Sequence, residues 1–195
     1  FYRNVKDLIE IYNTGAPVDA AVFQRMVIKN AEIRLLVKDS DIAIDSVTQM
    51  VGDVQGYIVS SQVWYVDYGG TNYKYATITI GIPADQFETV LRRLRNMAIR
   101  VLSENASGQD VTDQYVDLQA QLVNLEATRD RIKSFLDQAK SVDEALKINA
   151  QLSEIEAQIE QVKGKMNYLA DRSAFSTINI QIEPDLPPAT PPPRP

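Results

Sequence analysis

Carboxylates are the commonest groups in this chain that could do chemistry, and they gather twice: as Asp110, Thr112, Asp113 and Asp117, and as Asp39, Asp41 and Asp45. Oxygen donors so grouped invite a calcium site, but neither group holds the Asp-x-Asp-x-Asp-Gly loop that wraps the ion. Both stand where a helix should begin, and acids in a first turn cap free N–H groups and offset the helix dipole. They read as structural, and neither a metal nor a cofactor is expected. Arg129 is a second candidate because it falls among inward apolar positions. An unpaired buried guanidinium is costly, so it must reach outward or meet Glu126, Asp130 or Glu156, and fixing the register of two helices is its expected role. The third candidate is aromatic. Trp64, Tyr65, Tyr68, Tyr73 and Tyr75 crowd onto two neighbouring strands. Alternation sets Trp64 and Tyr65 on opposite faces, so some of these rings must be exposed, for cross-strand pairing or for contact with a partner or glycan.

Nothing else assembles a reactive set. The chain has no His and no Cys, which removes the commonest general base and zinc ligand, the thiol nucleophile and any disulfide. No Gly-x-Ser-x-Gly, phosphate-cradling loop or dinucleotide fingerprint is present, so an enzyme is not expected. Asn105-Ala106-Ser107 fits a glycosylation acceptor and marks a surface loop.

The elements that must position these residues follow from apolar spacing. Ala31, Ile33, Leu35 and Val37 alternate with polar residues as a strand from Val27 to Lys38. A helix capped by Asp39 or Ser40 buries Ala43, Val47, Met50, Val51 and Val54 and stops at Gly56. Strands from Tyr57 to Asp67 and from Tyr73 to Ile82 are joined through Tyr68, Gly69, Gly70, Thr71 and Asn72. Pro83 opens a helix burying Phe87, Val90, Leu91, Leu94 and Met97. A fourth strand covers Ile99 to Ser103, and Phe175, Ile178, Ile180 and Ile182 make the last. Before that last strand, Tyr115, Leu118, Leu122, Leu125, Arg129, Ile132 and Leu136 alternate gaps of three and four, as do Ala145, Ile148, Leu152, Ile155, Ile159, Val162, Met166 and Leu169. This is the seam of a coiled coil folded back near Ala139 and Lys140, with Leu122 facing Ile159 and Ser141–Glu144 as a capping box.

The expected fold is therefore α+β: a split β-α-β (ferredoxin-like) antiparallel-sheet head with a long antiparallel coiled-coil hairpin inserted before the last strand. Residues 1–25 form a preface with a short helix around Val5, Leu8, Ile9 and Tyr12. Residues 26–112 and 173–183 form the head, 113–172 the arm and 184–195 a Pro-rich, polyproline II stalk. A net charge of −6 over 195 residues, with no Lys/Arg-rich run, argues against nucleic acid. No apolar run reaches the ~18 residues of a membrane span. A start at Phe1 leaves room for a leader removed upstream.

The segments "RMVIKNAEIRLLVKDSD" (25–41), "ITIGIPADQFETVLRRL" (78–94), "QDVTDQYVDLQAQLVNLEATRDRI" (109–132) and "AFSTINIQIE" (174–183) resemble the bacterial domain of unknown function (DUF) 4349 family. The similarity spans about Arg25 to Glu183. Its most specific pieces are Asp110-Val111-Thr112, Asp117-Leu118, Arg131 and Ser176-Thr177, and it departs at Gly81 and Gln121, where the family more often carries basic residues. The resemblance implies an extracytoplasmic protein, periplasmic or at the cell surface, tethered to a membrane by a segment after Pro195, and it carries no catalytic or binding residues. The resulting expectation is a non-enzymatic membrane-anchored interaction or scaffold module presenting its helical hairpin to a protein partner or to another copy of itself. The alternative is a small-ligand or glycan sensor binding through the aromatic strands.

Overall fold

The computed structural model describes residues 25–187. The elements run β1 (Val27–Val37), α1 (Ser40–Asp53), β2 (Tyr57–Tyr68), β3 (Thr71–Pro83), α2 (Phe87–Met97), β4 (Arg100–Asp110), α3 (Thr112–Leu136), α4 (Val142–Ala174) and β5 (Phe175–Pro184). The preface helix and the Pro-rich stalk expected from sequence lie outside the described residues, apart from the stalk's first few.

All five strands share one sheet in the order β2-β3-β5-β1-β4. β5 lies parallel to β1 and antiparallel to β3, and the other two pairings are antiparallel. The sheet is therefore mixed, which corrects the expected antiparallel one. A hairpin forces its strands to run antiparallel, but β5 arrives from a long helix and is free to lie parallel to β1. Alternation sends Ala31, Ile33, Leu35 and Val37 of β1, Ala76, Ile78, Ile80 and Ile82 of β3, and Ile178, Ile180 and Ile182 of β5 to one face, where Ala43, Val47 and Met50 of α1 and Phe87, Val90, Leu91 and Leu94 of α2 cover them. Ile180 stands in register with Ile33 on one side and Ile78 on the other, and all three are essentially inaccessible.

Local structure departs from expectation at three joints. Gly69 and Gly70 alone close the β2–β3 hairpin, at φ of 63° and 85°, because Tyr68 and Thr71 still pair; only glycine adopts two such positive φ values in a row cheaply. Pro83 ends β3 opposite Phe175 rather than opening α2, a strand-end place where its missing N–H is tolerated. β4 continues through Asp110, so Asn105 sits opposite Glu32 in the ladder and not in a loop.

α3 and α4 pack against each other. Tyr115, Leu118, Leu122, Leu125, Arg129, Ile132 and Leu136 of α3 are half-buried, while Leu152, Ile159, Val162 and Leu169 of α4 are buried. Two ion pairs cross between the helices, Lys133 to Glu156 at 3.7 Å and Lys163 to Glu126 at 3.9 Å. In the layers expected from sequence each pair would be offset by about 12 Å along the axis, at 1.5 Å rise per residue. The expected facing of Leu122 and Ile159 is thus corrected: sliding α4 by half a heptad brings both pairs within reach and sets Leu125 near Ile159. At the loop, Ser141 Oγ accepts the Glu144 N–H at 3.2 Å, and Glu144 Oε2 accepts the N–H of Lys140 at 3.1 Å, a capping box displaced by one residue. At the root, Ile28, Val111 and Leu169 are buried together with Met26, Tyr115 and Leu118 against them.

Replacing Ile159, 3 % exposed, with Asp buries a carboxylate without a partner and should cost several kcal/mol. Hydrogen exchange should then rise across α3 and α4 while Ile33 and Leu35 stay slow; uniform loss of protection would show one cooperative unit. A second test is acid-dependent. Arg95 donates to both oxygens of Glu104, and this guanidinium holds the Glu104 carboxyl below its ordinary 4.5. A depressed carboxylate stabilises above its unfolded pKa and loses that contribution as pH falls through the folded one. Glu104→Gln should therefore cost about 1 kcal/mol at neutral pH and nothing once both states are protonated, as read from urea unfolding at each pH.

Candidate interaction surface

β2 ends the sheet, and no described residue pairs with its outer side. Its register fixes two faces. Ile58, Ser61, Val63, Tyr65 and Asp67 oppose β3 residues on the helix-covered face, while Tyr57, Ser60, Gln62, Trp64, Val66 and Tyr68 lie on the open one, with Val59 in the bulge between Ile58 and Ser60. Both faces of β2 are nevertheless exposed. Val63 is 44 % exposed and Tyr65 60 % on the first, Trp64 40 % and Val66 43 % on the second. The strand carries one charge, Asp67.

The aromatic residues singled out by sequence divide accordingly. Trp64 and Tyr75 are cross-strand partners stacked at 5.9 Å and 17°, and Tyr68 meets Tyr73 edge-on at 6.2 Å, so four of the five share the open face. Tyr65 is apart on the helix side. There Lys74 lies 5.5 Å from its ring centroid and pairs with Asp41, and hydrogen bonding to the Asp41 carboxylate first, then to the Tyr65 oxygen, raises the lysine pKa. Tyr57, Val66 and Phe175 extend the open face and Val63 stands with Tyr65 on the other; all four are exposed, and none is among the sequence candidates. Their signal was present: the strand is apolar at both parities, the pattern of a central strand covered on both sides.

The other candidates resolve into local partners. Arg129 Nε and Nη2 donate to Asp130 Oδ1 at 2.9 and 2.7 Å; Asp130 first, then the fields of Glu126 and Glu156, raise its pKa. The guanidinium thus bends out of the seam to its own helix. Asp39 accepts the N–H groups of Asp41 and Ile42, whereas Ser40 donates to the Lys74 carbonyl. Asp110 accepts from the hydroxyl and N–H of Thr112, which holds its carboxyl below the usual range. Thr112 Oγ1 also accepts the Met26 N–H at 3.0 Å, so these groups tie the root of α3. Among the described residues no three acids converge on a point where an ion could sit.

One aromatic contact depends on a glycine. The Tyr57 ring lies across Gly81, its cross-strand partner, where a Cβ would fall 2.4 Å from Tyr57 Cζ, and it reaches Phe175 at 5.8 Å. Gly81→Ala should displace the ring and cost about 1–3 kcal/mol, as overpacking does. In a Tyr57→Ala background the same change should be neutral or stabilising, because Ala loses less backbone entropy than Gly. Equal costs in both backgrounds, from denaturant unfolding of the four variants, would show that the ring is not what the glycine accommodates.

No curated protein and no solved structure matches the chain. The model of a family described as a domain of unknown function, DUF4349, matches residues 25–195. That span takes in every strand and helix above, and the chain belongs to this family.

Proposed function

We propose that the chain is a non-enzymatic scaffold module that joins a second copy of itself along β2, with the helix pair acting as a spacer. The docking surface is then the sheet rather than the helical hairpin expected from sequence. The observation that carries the reading is the contrast between the two edges of one sheet. β4, at the far edge, reads Ser103-Glu104-Asn105-Ala106-Ser107-Gly108-Gln109-Asp110, polar and charged as edges that must stay free usually are. β2 has no Lys and no Pro, and Ser60 to Tyr68 pairs with β3 without a bulge. Seven of its twelve residues, Tyr57, Ile58, Val59, Val63, Trp64, Tyr65 and Val66, are large hydrophobics left exposed, the composition that the core of an interface favours.

A second copy suits this edge because the strand is self-complementary. Antiparallel pairing centred on Val63 sets Trp64 opposite Gln62 and Tyr65 opposite Ser61 of the other copy, large against small. It also holds the two Asp67 carboxylates apart. The fold details fit the same reading: β1-α1-β2 and β3-α2-β4 are the halves of a split β-α-β sandwich widened by β5, and α3 with α4 is an antiparallel coiled coil whose Lys133–Glu156 and Lys163–Glu126 pairs flank the seam. The extracytoplasmic, membrane-anchored placement rests on the family resemblance alone, and protease accessibility on intact cells tests it. The sensor alternative would use the same rings, but Trp64 and Tyr75 already cover one face of each other.

Light scattering across a concentration series tests the assembly. The chain should double in mass, Val63→Lys should keep it monomeric with an unchanged circular dichroism spectrum, and Phe135→Glu on the helix pair should leave the dimer intact. A chain that stays monomeric up to high micromolar concentration, or a dimer lost with Phe135→Glu and kept with Val63→Lys, overturns the proposal.

A further inference from the structure

A groove of about 640 Å³ runs between the far end of α4 and the open face of β1 and β4. Its size falls in the range of small-molecule sites, roughly 300–1,000 Å³. The wall on α4 is one helical stripe, Gln161, Gly164, Lys165, Tyr168 and Arg172, and the floor is Asn30 with Gln109 of the sheet. Gln114, at the start of α3, closes one side.

The lining is unusual for this chain. The protein is acidic, with a net charge of −6, yet the groove has two cations and no carboxylate. Among the described residues neither Lys165 nor Arg172 has an ion-pair partner. Four amide side chains offer donors and acceptors together, the repertoire that hydroxyl groups need. Tyr168, 60 % exposed, presents a ring beside them.

Gly164 supplies a separate observation. It lies in the interior of a 33-residue helix, where glycine is less favourable than alanine. A Cβ added there would meet nothing within 4 Å, so no packing requirement explains it. What the missing side chain leaves is room on the groove wall.

We propose that this groove binds an acidic carbohydrate, a saccharide whose anionic group pairs with Lys165 and Arg172 while its hydroxyls meet the amides and its ring lies against Tyr168. The site is distinct from β2 and does not depend on self-association.

Calorimetric titration of the whole chain with tetragalacturonate, maltotetraose and inorganic phosphate tests it. The acidic tetramer should bind, more weakly as salt is raised, and at least tenfold more tightly than the neutral tetramer or phosphate. Lys165→Gln with Arg172→Gln should weaken it tenfold or more, and Gly164→Leu should abolish binding while the helix signal is retained. Gly164→Ala should raise the unfolding midpoint, and Arg131→Gln, on exposed α3 surface outside the groove, should change nothing. Absent binding of the acidic tetramer, equal binding of the neutral tetramer or of phosphate, or undiminished binding by the double variant would each overturn the proposal.

Discussion

β5 lies between β1 and β3, and the rest of the molecule depends on that insertion. Its isoleucines complete rows across the sheet, Ile178 with Ala31 and Ile80, Ile180 with Ile33 and Ile78, Ile182 with Leu35 and Ala76. Without β5 the β1–β4 and β2–β3 pairs would be separate hairpin-like units, each too small to bury a face against α1 and α2. The pairing joins residues very distant in sequence, which carries a loop-closure cost. The helix pair reduces it: by folding back on itself it returns the chain to the sheet, where the Ala84 N–H donates to the Ala174 carbonyl at 2.9 Å and Phe175 enters the ladder at once.

The same insertion fixes where the helices stand. β4 delivers α3 and β5 receives α4, and these strands flank β1. The root is then locked by two independent kinds of contact. Ile28, Val111 and Leu169 exclude water, and Asp110, Thr112 and Met26 form a chain of hydrogen bonds from strand to helix. Of the acids that sequence inspection could assign to calcium, Asp39 and Asp110 accept backbone N–H groups at the starts of α1 and α3, and Asp41 pairs with Lys74. Fixed at both ends, the pair behaves as an extension of the sheet, while its seam further out is stabilised only by itself.

Element identity was legible in the sequence because one-sided periodicity records which face is buried. The alternating Ala31, Ile33, Leu35, Val37 set and the three-four rhythm from Tyr115 to Leu169 both match the burial found. Partner identity was not legible. Nothing in Ile178, Ile180 and Ile182 says which strands lie on either side, so the parallel β1–β5 pair was missed. The helix register was missed for a related reason: a regular apolar repeat fits itself at several offsets, and only the charged pairs Lys133–Glu156 and Glu126–Lys163 choose among them. The aromatic cluster was found but drawn too narrowly. Val63, Val66 and Tyr57 resemble core residues in composition, and their exposure follows from β2 lying at an edge, which is a property of the whole sheet.

Topology also decides how the two proposed surfaces relate. β2 is at one edge, while the groove opens over β1 and β4 at the other, so pairing along β2 leaves the groove uncovered in both copies. Two sheets joined at β2 would form ten strands, with each helix pair rooted around β1. At ~4.8 Å between strands, the seven intervals from one β1 to the other would set the two roots roughly 34 Å apart. A second copy on the β4 edge would instead crowd the roots and the grooves together. An apolar β2 and a polar β4 are therefore the arrangement that the two proposals require together: pairing at one edge, and an uncovered groove beside the other.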